Sequence, residues 1–362
     1  MNNIAPLRKF WKGKKVFLTG HTGFKGSWFS ILLKLLGAKV AGYSLKPCTK
    51  PNLFDLAKLE KVIHASIIGD IRDYDKLKKC IYKFSPDLIV HMAAQPLVRE
   101  SYESPKYTYE VNTLGTINIL NILNEISFVK SALIITTDKV YFNNNKKSYL
   151  KESDLLGGLD PYSSSKSCAE LAVNSYNHSF FKKKNIYVAT ARAGNVIGGG
   201  DFSKDRIVPD YFRSLLKNKK LILRSPNSIR PWQHVLDPLN GYLLLLMKLY
   251  KKQKLINSSF NFGPIKLSNQ SVSNVINLIN KDFNNSVKVV KKNNITKDYN
   301  ESKILMLNSN KSKKILNWQN KYNLKQSIKL TSLWFKEYLK KKKYFKSHSR
   351  PNIELFSLSY VC

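Results

Sequence analysis

Short apolar runs and helix-periodic stretches alternate along the first half of the chain. Val16–Thr19 reads as a strand, and Phe24–Leu36 follows with helical spacing that stops at Gly37, a C-terminal cap. Further strands are predicted at Val40–Ser44, Val62–Ile68, Asp87–Met92, Ala132–Thr136 and Tyr187–Ala191. Long helices are predicted at Lys106–Ile126 and Tyr162–Phe180. Strand, helix, strand at this spacing predicts an α/β fold, a doubly wound parallel sheet with helices on both faces. Ligands of such sheets lie beyond the carboxyl ends of the strands, so chemistry is sought in the residues that follow each one.

After about residue 196 the pattern loosens. Gly198–Gly200 reads as the opening of a long polar loop, with weaker helices at Pro209–Leu216, Pro238–Leu249, Ser268–Ile279 and Leu324–Leu339. Residues 10–196, with a return of the chain at about 232–264, are expected to form the sheet domain. Residues 197–231 and 265–340 then make a smaller substrate-binding region, and 341–362 a peripheral tail.

The first strand runs into Gly20-His21-Thr22-Gly23-Phe24-Lys25-Gly26 and then a helix. Glycines at that spacing let the backbone approach a pyrophosphate, while the helix N-terminus supplies N–H groups and positive potential. The plainer reading is a tight turn without a ligand; the strand–helix junction favours the dinucleotide turn of a Rossmann sheet. A carboxylate at the end of the second strand normally holds the adenosine ribose. This chain has Tyr43-Ser44-Leu45-Lys46 there, so the residues leave NAD and NADP both open. Asp70 follows the third strand and is read either as an adenine contact or as a helix N-cap.

Tyr162 and Lys166 stand at i and i+4, on one face of a helix. A free phenol titrates near pH 10, about three units too high for a base at neutrality. A nearby ammonium and a cationic nicotinamide would favour the phenolate, which can take a proton from a sugar hydroxyl while hydride leaves the same carbon. Thr137-Asp138-Lys139 comes directly off the fifth strand, and its acid and amine suggest a second step such as elimination of water; an exposed turn is the plainer reading. Arg192 and Asn195 follow the sixth strand and are candidates for the cofactor or the sugar. Arg230 is a candidate clamp for a diphosphate, since guanidinium binds phosphate bidentately.

Composition changes this picture little. A hydrophobic fraction of 43% and a charged fraction of 23% suit a globular protein. No segment approaches the roughly 18 apolar residues of a membrane helix, and the first residues lack a secretory core, so a cytoplasmic protein without membrane association is expected. Cys48, Cys80, Cys168 and Cys362 form no C-x-x-C pair, and His21, His91 and His234 have no metal spacing. Neither a disulfide framework nor a metal site is expected, and the histidines read as packing residues. The net charge of +37 admits a rival of another class, a basic nucleic-acid-binding protein on the same scaffold. The excess is spread along the chain, including Lys182–Lys184, Lys291–Asn294 and Lys340–Lys343, without a nucleic-acid module. Specific nucleic-acid binding is therefore not expected.

Together the segments FWKGKKVFLTGHTGFKGSW, GDIRD, HMAAQPLVR, TTDKVY, DPYSSSKSCAEL, RAGNVIGGGD and SIRPWQHVLDPL resemble the extended short-chain dehydrogenase/reductase family, and within it the 4,6-dehydratases of nucleotide-linked hexoses. The resemblance spans roughly residues 10–240. It implies NAD as cofactor, CDP-glucose as substrate, CDP-4-keto-6-deoxyglucose as product, and a place in deoxysugar synthesis for bacterial surface polysaccharide such as O-antigen lipopolysaccharide. It implies a homo-oligomer, dimer or tetramer. Carried over by position, Gly20, Thr22, Gly23, Phe24, Lys25, Gly26, Asp70, Ile71, Ala93, Ala94, Gln95, Asn112, Tyr162, Lys166 and Arg192 would meet the cofactor, and Arg99, Asn195, Arg206 and Arg230 the substrate. Tyr162 would be the base for C4 oxidation, supported by Lys166, and Thr137 would bond the sugar O4. Asp138 would protonate the leaving C6 hydroxyl and Lys139 would take the C5 proton. A nucleotide-sugar epimerase, or a dehydratase for another nucleotide, is the alternative within the family; an epimerase has no use for the Asp138–Lys139 pair. Lys46 and Asn308 stand where acidic residues are usual in similar proteins.

Overall fold

The computed structural model describes residues 4–142, 148–251, 259–264, 268–291 and 304–347. Its centre is a seven-stranded, all-parallel sheet. The strands are β1 Lys15–Thr19, β2 Lys39–Ser44, β3 Ala65–Ile68, β4 Leu88–His91, β5 Ser131–Ile135, β6 Tyr187–Ala193 and β7 Ser259–Phe262. Their order is β7-β6-β5-β4-β1-β2-β3, so the winding reverses between β1 and β4 and leaves a crevice at their carboxyl ends.

The central strands are apolar on both faces, as a covered parallel sheet requires. Val16, Leu18, Val90, Leu133 and Ala191 belong to one core; Phe17, Ile89, Ala132, Ile134 and Val188 belong to the other. The long helices are α1 Ile4–Trp11, α2 Phe24–Leu35, α3 Tyr74–Phe84, α4 Gly115–Glu125, α5 Pro161–Tyr176, α6 Ile207–Leu216, α7 Leu236–Tyr250, α8 Val272–Asp282 and α9 Leu324–Ser347. Gly37 closes α2 with φ +84°, and the Gly37 and Ala38 N–H groups return to Lys34 and Leu33 carbonyls.

Several expectations need correction. The third strand begins at Ala65, because Leu59–Val62 forms a helical turn; a short apolar run has no periodicity that separates the two. The predicted Lys106–Ile126 helix contains a π turn, Glu110–Leu114, between Pro105–Tyr109 and α4. A second π turn, Asn177–Phe181, ends the α5 rod. Helix α1 was not expected; it buries Leu7 and Trp11 and sets Phe10 edge-on to Tyr250 of α7 at 5.4 Å. The loop at Gly198–Gly200 is interior rather than polar surface. Gly199 accepts a hydrogen bond from Trp28 Nε1 at 3.0 Å, and a side chain there would meet the Trp334 ring of α9. The expected tail begins inside α9, which reaches Ser347, and 348–362 lie outside the described residues. Residues 292–294 of the Lys291–Asn294 run lie outside them as well.

Three two-stranded ribbons follow β6. Val196–Ile197 pairs with Gln233–His234, Leu221–Leu223 with Val289–Lys291, and Ile229–Pro231 with Asn269–Ser271. Among the described residues, no helix is long and apolar enough to cross a membrane, and no group of three His, Cys, Asp or Glu is placed to hold a metal. Cys48, Cys80 and Cys168 are free thiols, and Cys362 lies outside the described residues.

Candidate active site

Beyond β1 the glycines divide into two kinds. Gly20 has φ +76°, and a methyl on it would lie 2.7 Å from the Ala93 nitrogen; one on Gly26 would lie 2.1 Å from the Gly20 oxygen. Gly20 is demanded by packing against the backbone after β4, and Gly26 by the turn's own backbone. Gly23 is different. It is exposed, and a Cβ there would find only the Gly20 oxygen, at 3.4 Å. Gly23 is also the N-cap of α2 and offers no capping side chain, so the positive end of that helix is left for an anion. An open glycine at an uncapped helix start fits a dinucleotide pyrophosphate. Thr22 ties the turn to the end of β2 through Ser44 Oγ and the Leu45 carbonyl, both at 2.9 Å.

The floor of this turn is neutral. His91 lies between Thr19 Oγ1 at 2.8 Å and Thr116 Oγ1 at 3.2 Å, and burial presses its pKa to about 3. His21 meets Ser66 Oγ at 2.9 Å and His234 lies by the start of α7; burial lowers each to about 4. No carboxylate closes β2, and Lys46 is exposed there.

Four of the expected cofactor contacts have hydrogen-bond partners within the protein. Asp73, not Asp70, caps α3. Both Asp70 oxygens are engaged by Arg72, whose hydrogen bonds hold the carboxyl below its usual range, so an adenine amino group would have to share them. Gln95 spends its side chain on Leu97 and Thr108. Asn112, in the π turn, is fully buried and bridges Gln95 to Ser165 Oγ. Arg192 is 3% exposed and grips Glu170 with Nε at 2.9 Å and Nη2 at 2.8 Å, while Nη1 donates to Tyr141. These groups brace the site from within. Ile71 packs its side chain in the core, and Ala93 and Ala94 are half-buried beside Gly20.

The catalytic candidates converge at the end of β5. Asp160 and Ser163 form a reciprocal cap that starts α5 at Pro161, which places Tyr162 in its first turn and Lys166 one turn further. Lys166 Nζ donates to the Ile135 carbonyl at 3.2 Å, anchoring the helix to β5. Burial, then the Lys25 charge, lowers its pKa to about 8, against the opposing effect of Glu170. Tyr162 bonds Thr137, yet burial outweighs that contact and pushes the phenol up to about 12. The expected phenolate therefore does not form from the protein's own groups; a further positive charge is needed.

Thr137 donates to Asp138 Oδ1 at 3.1 Å and accepts from the Lys139 N–H at 3.3 Å. Asp138 is 2% exposed, and its Oδ2 has no hydrogen-bond partner among the described residues. Burial raises this acid to about 6, although Lys139, Thr137, Arg230 and Lys25 all oppose the rise. Lys139 is half-buried beside it. Lys25 reaches from the glycine turn toward the same centre, with Nζ 5.9 Å from the Tyr242 ring; burial, then Arg206, lowers it to about 8.

Of the four expected substrate residues, Arg230 acts on Asp138 and Arg206 on Lys25 and Tyr162. Arg230 is 5% exposed, which excludes a solvated surface role. Arg206 lies 3.5 Å from the buried Asp201, and Arg99 lies 3.8 Å from Asp205. Asn195 is half-buried, and its carbonyl accepts from Gln233 N at 3.2 Å. Sequence reasoning missed Glu170, which accepts from Thr136, Thr190 and Arg192. Its signal was present: it continues the Tyr162–Lys166 face at another i+4 step. Tyr141 and Asn261, which extend the same buried network, carried no such signal.

Comparison with known proteins identifies the family and the fold. The family described as GDP-mannose 4,6 dehydratase matches residues 17–331. A CDP-glucose 4,6-dehydratase of Salmonella typhimurium is 48% identical over 262 residues, 71% of this chain and 73% of that protein. Solved structures share the fold: a dTDP-glucose 4,6-dehydratase from Bacillus anthracis, in complex with NAD, aligns with TM-score 0.74 and 22% identity over 92% of this chain and 99% of its own. An epimerase from Methanothermobacter thermautotrophicus aligns with TM-score 0.80 and 22% identity over 94% of this chain and 97% of its own.

Proposed function

This chain belongs to the GDP-mannose 4,6-dehydratase family, and from that premise we propose that it is an NAD-dependent lyase that removes water from CDP-glucose to give CDP-4-keto-6-deoxyglucose. The observation that carries this reading is Asp138: a buried carboxyl with a free oxygen, raised to about 6, beside the Tyr162–Lys166–Thr137 group. Oxidation and reduction alone need only the latter three. An acid kept near neutrality is what loss of a hydroxyl as water requires.

A bound nicotinamide supplies the hydride acceptor and donor and the positive charge that Tyr162 lacks. Gly20, Gly23 and the first turn of α2 would hold its pyrophosphate. Tyr162 would take the O4 proton, with Lys166 beneath it and Thr137 on the sugar oxygen. The new ketone acidifies C5–H. Lys139 removes that proton while Asp138 gives its own to the C6 hydroxyl, which leaves as water. Because a nicotinamide would both accept the C4 hydride and give it back at C6, with a proton restored to C5, the overall reaction would be redox-neutral. Arg230, Arg206, Arg99 and Asn195 would receive the nucleotide diphosphate and sugar. The reading extends to a cytoplasmic homo-oligomer feeding deoxysugar synthesis for surface polysaccharide, and size-exclusion chromatography with light scattering tests the assembly.

The test is turnover of CDP-, dTDP-, GDP- and UDP-glucose, read by the alkaline absorbance of a 4-keto-6-deoxy sugar. CDP-glucose is expected to react well ahead of the others. Preference for another base overturns the substrate, and 4-epimerised product without water loss overturns the dehydratase.

A further inference from the structure

Gly194 follows the last residue of β6, directly across from Asp138. A methyl built on it would lie 2.7 Å from Asp138 Oδ2 and 2.5 Å from Pro231 Cγ. The first of these atoms is the carboxyl oxygen left without a partner. The oxygen is thus seated against bare backbone, between the end of β6 and the ribbon strand Ile229–Pro231. Thr137 fixes Oδ1 from the other side at 3.1 Å. Turning the carboxyl away from Gly194 would strain or break that bond.

Resting on the dehydratase reading, we infer that Gly194 is a positioning residue that keeps the seat of the Asp138 carboxyl open. The requirement is steric. Gly194 lies outside the left-handed glycines of this chain, so its backbone conformation does not demand glycine. What demands it is the Asp138 oxygen and the Pro231 ring. Gly194→Ala would push the carboxyl off line from the hydroxyl it protonates. Tyr162, Lys166 and the glycine turn would be untouched.

The experiment is single-turnover CDP-glucose conversion by the full chain with NAD, following bound NADH and the 4-keto-6-deoxy product together. Gly194→Ala is expected to form NADH at the wild-type rate and then stall, with elimination slowed about 100-fold or more, the scale of a lost general acid. Asp138→Asn should stall in the same way, and the double variant should be no slower than Asp138→Asn, as groups acting as one unit behave. Gly263→Ala is the matched control. Its methyl would crowd Leu307 Cβ at 2.7 Å, away from the acid and the cofactor turn, so product should form at the wild-type rate with no NADH accumulating. If Asp138→Asn stalls but Gly194→Ala turns over like wild type, the inference fails and the dehydratase reading stands. If Asp138→Asn itself turns over like wild type, the reading fails first. Equal loss of NADH and product in folded Gly194→Ala overturns the inference too. Should that variant not fold, Asp138→Glu asks the same question from the other side. Its extra methylene has no space against Gly194, and wild-type elimination by it would overturn the seat.

Discussion

The two sides of the β1–β4 crevice are built on opposite terms. Around the glycine turn the interior is neutral: His21, and His91 of β4 against Thr19, are held uncharged, hydroxyls of Thr19, Thr22, Ser44 and Ser66 make the bonds, and shape is set by Gly20 and Gly26. On the β5–β6 side, Asp138, Lys166 and Lys25 are packed together with pKa values drawn toward neutrality, and Tyr162 is driven away from it. One side holds a ligand by leaving room, and the other does chemistry by crowding charge. Substitutions should therefore fail differently on the two sides.

The largest effect is expected at Tyr162. Removing its hydroxyl in Tyr162→Phe should stop C4 oxidation, with a fall of up to about 10⁴-fold in NADH formation, the upper range for a proton-transfer group. Cofactor affinity should stay within a factor of a few. Stopped-flow absorbance of bound NADH, beside calorimetric titration of NAD, checks both halves. A loss of NAD binding as large as the loss of rate would break the division.

Next comes the brace behind the charged side. The Glu170–Arg192 pair is buried at both ends and has no water to fall back on. Arg192→Met leaves an unpaired interior carboxylate and should cost about 3–5 kcal/mol, read as a shift in urea midpoint at pH 7.5. Glu170→Gln should cost similarly. Were Arg192 a cofactor contact instead, its loss would weaken NAD binding and leave stability nearly unchanged.

On the neutral side, Gly23→Val places a branched side chain where the turn is open. NAD affinity should drop at least about 100-fold, roughly 2.7 kcal/mol, without a change in urea midpoint beyond 1 kcal/mol. Unchanged binding by the folded variant would mean that the open face of the turn is not used.

The same contrast explains what was legible in the sequence. The succession of strands and helices, the glycine turn and the β5 and β6 ends depend on local patterning, and Tyr162 and Lys166 follow from periodicity within one helix, so all could be read residue by residue; the order of the strands in the sheet could not. The missed features are long-range. Arg192 was read as a ligand candidate because it follows a strand, and its grip on Glu170, 22 residues earlier, could not be read locally. Asn112 and Gln95 bond one another through a π turn that no periodicity announces. The interior Gly199–Trp334 contact joins positions far apart in the chain. Gly194 carried no signal at all, since its role is the space it leaves for a side chain on another strand.

The smallest effect is the most direct probe of charge crowding. The Asp138 pKa rises from 3.8 to about 6 on folding, so the folded state binds this proton more tightly than the unfolded chain. A raised pKa contributes stability that is fully present below the unfolded value, here about 3.9, and is lost as pH rises through the folded one. At pH 8 the native protein therefore carries the ionised, desolvated carboxylate as a burden of about 3 kcal/mol. Asp138→Asn removes that burden and should be more stable than wild type by about this amount at pH 8, with the advantage shrinking toward pH 4. The histidines of the neutral side predict the opposite slope. His91 and His21 have lowered pKa values, so the stability they contribute is present above about 6.5 and is lost as pH falls toward 4 and 3. Subtracting the Asp138→Asn unfolding curve from wild type cancels the histidine contribution and isolates the carboxyl. A difference that does not vary between pH 4 and 8 would mean that Asp138 ionises normally, and the contrast between the two sides of the crevice would lose its charged half.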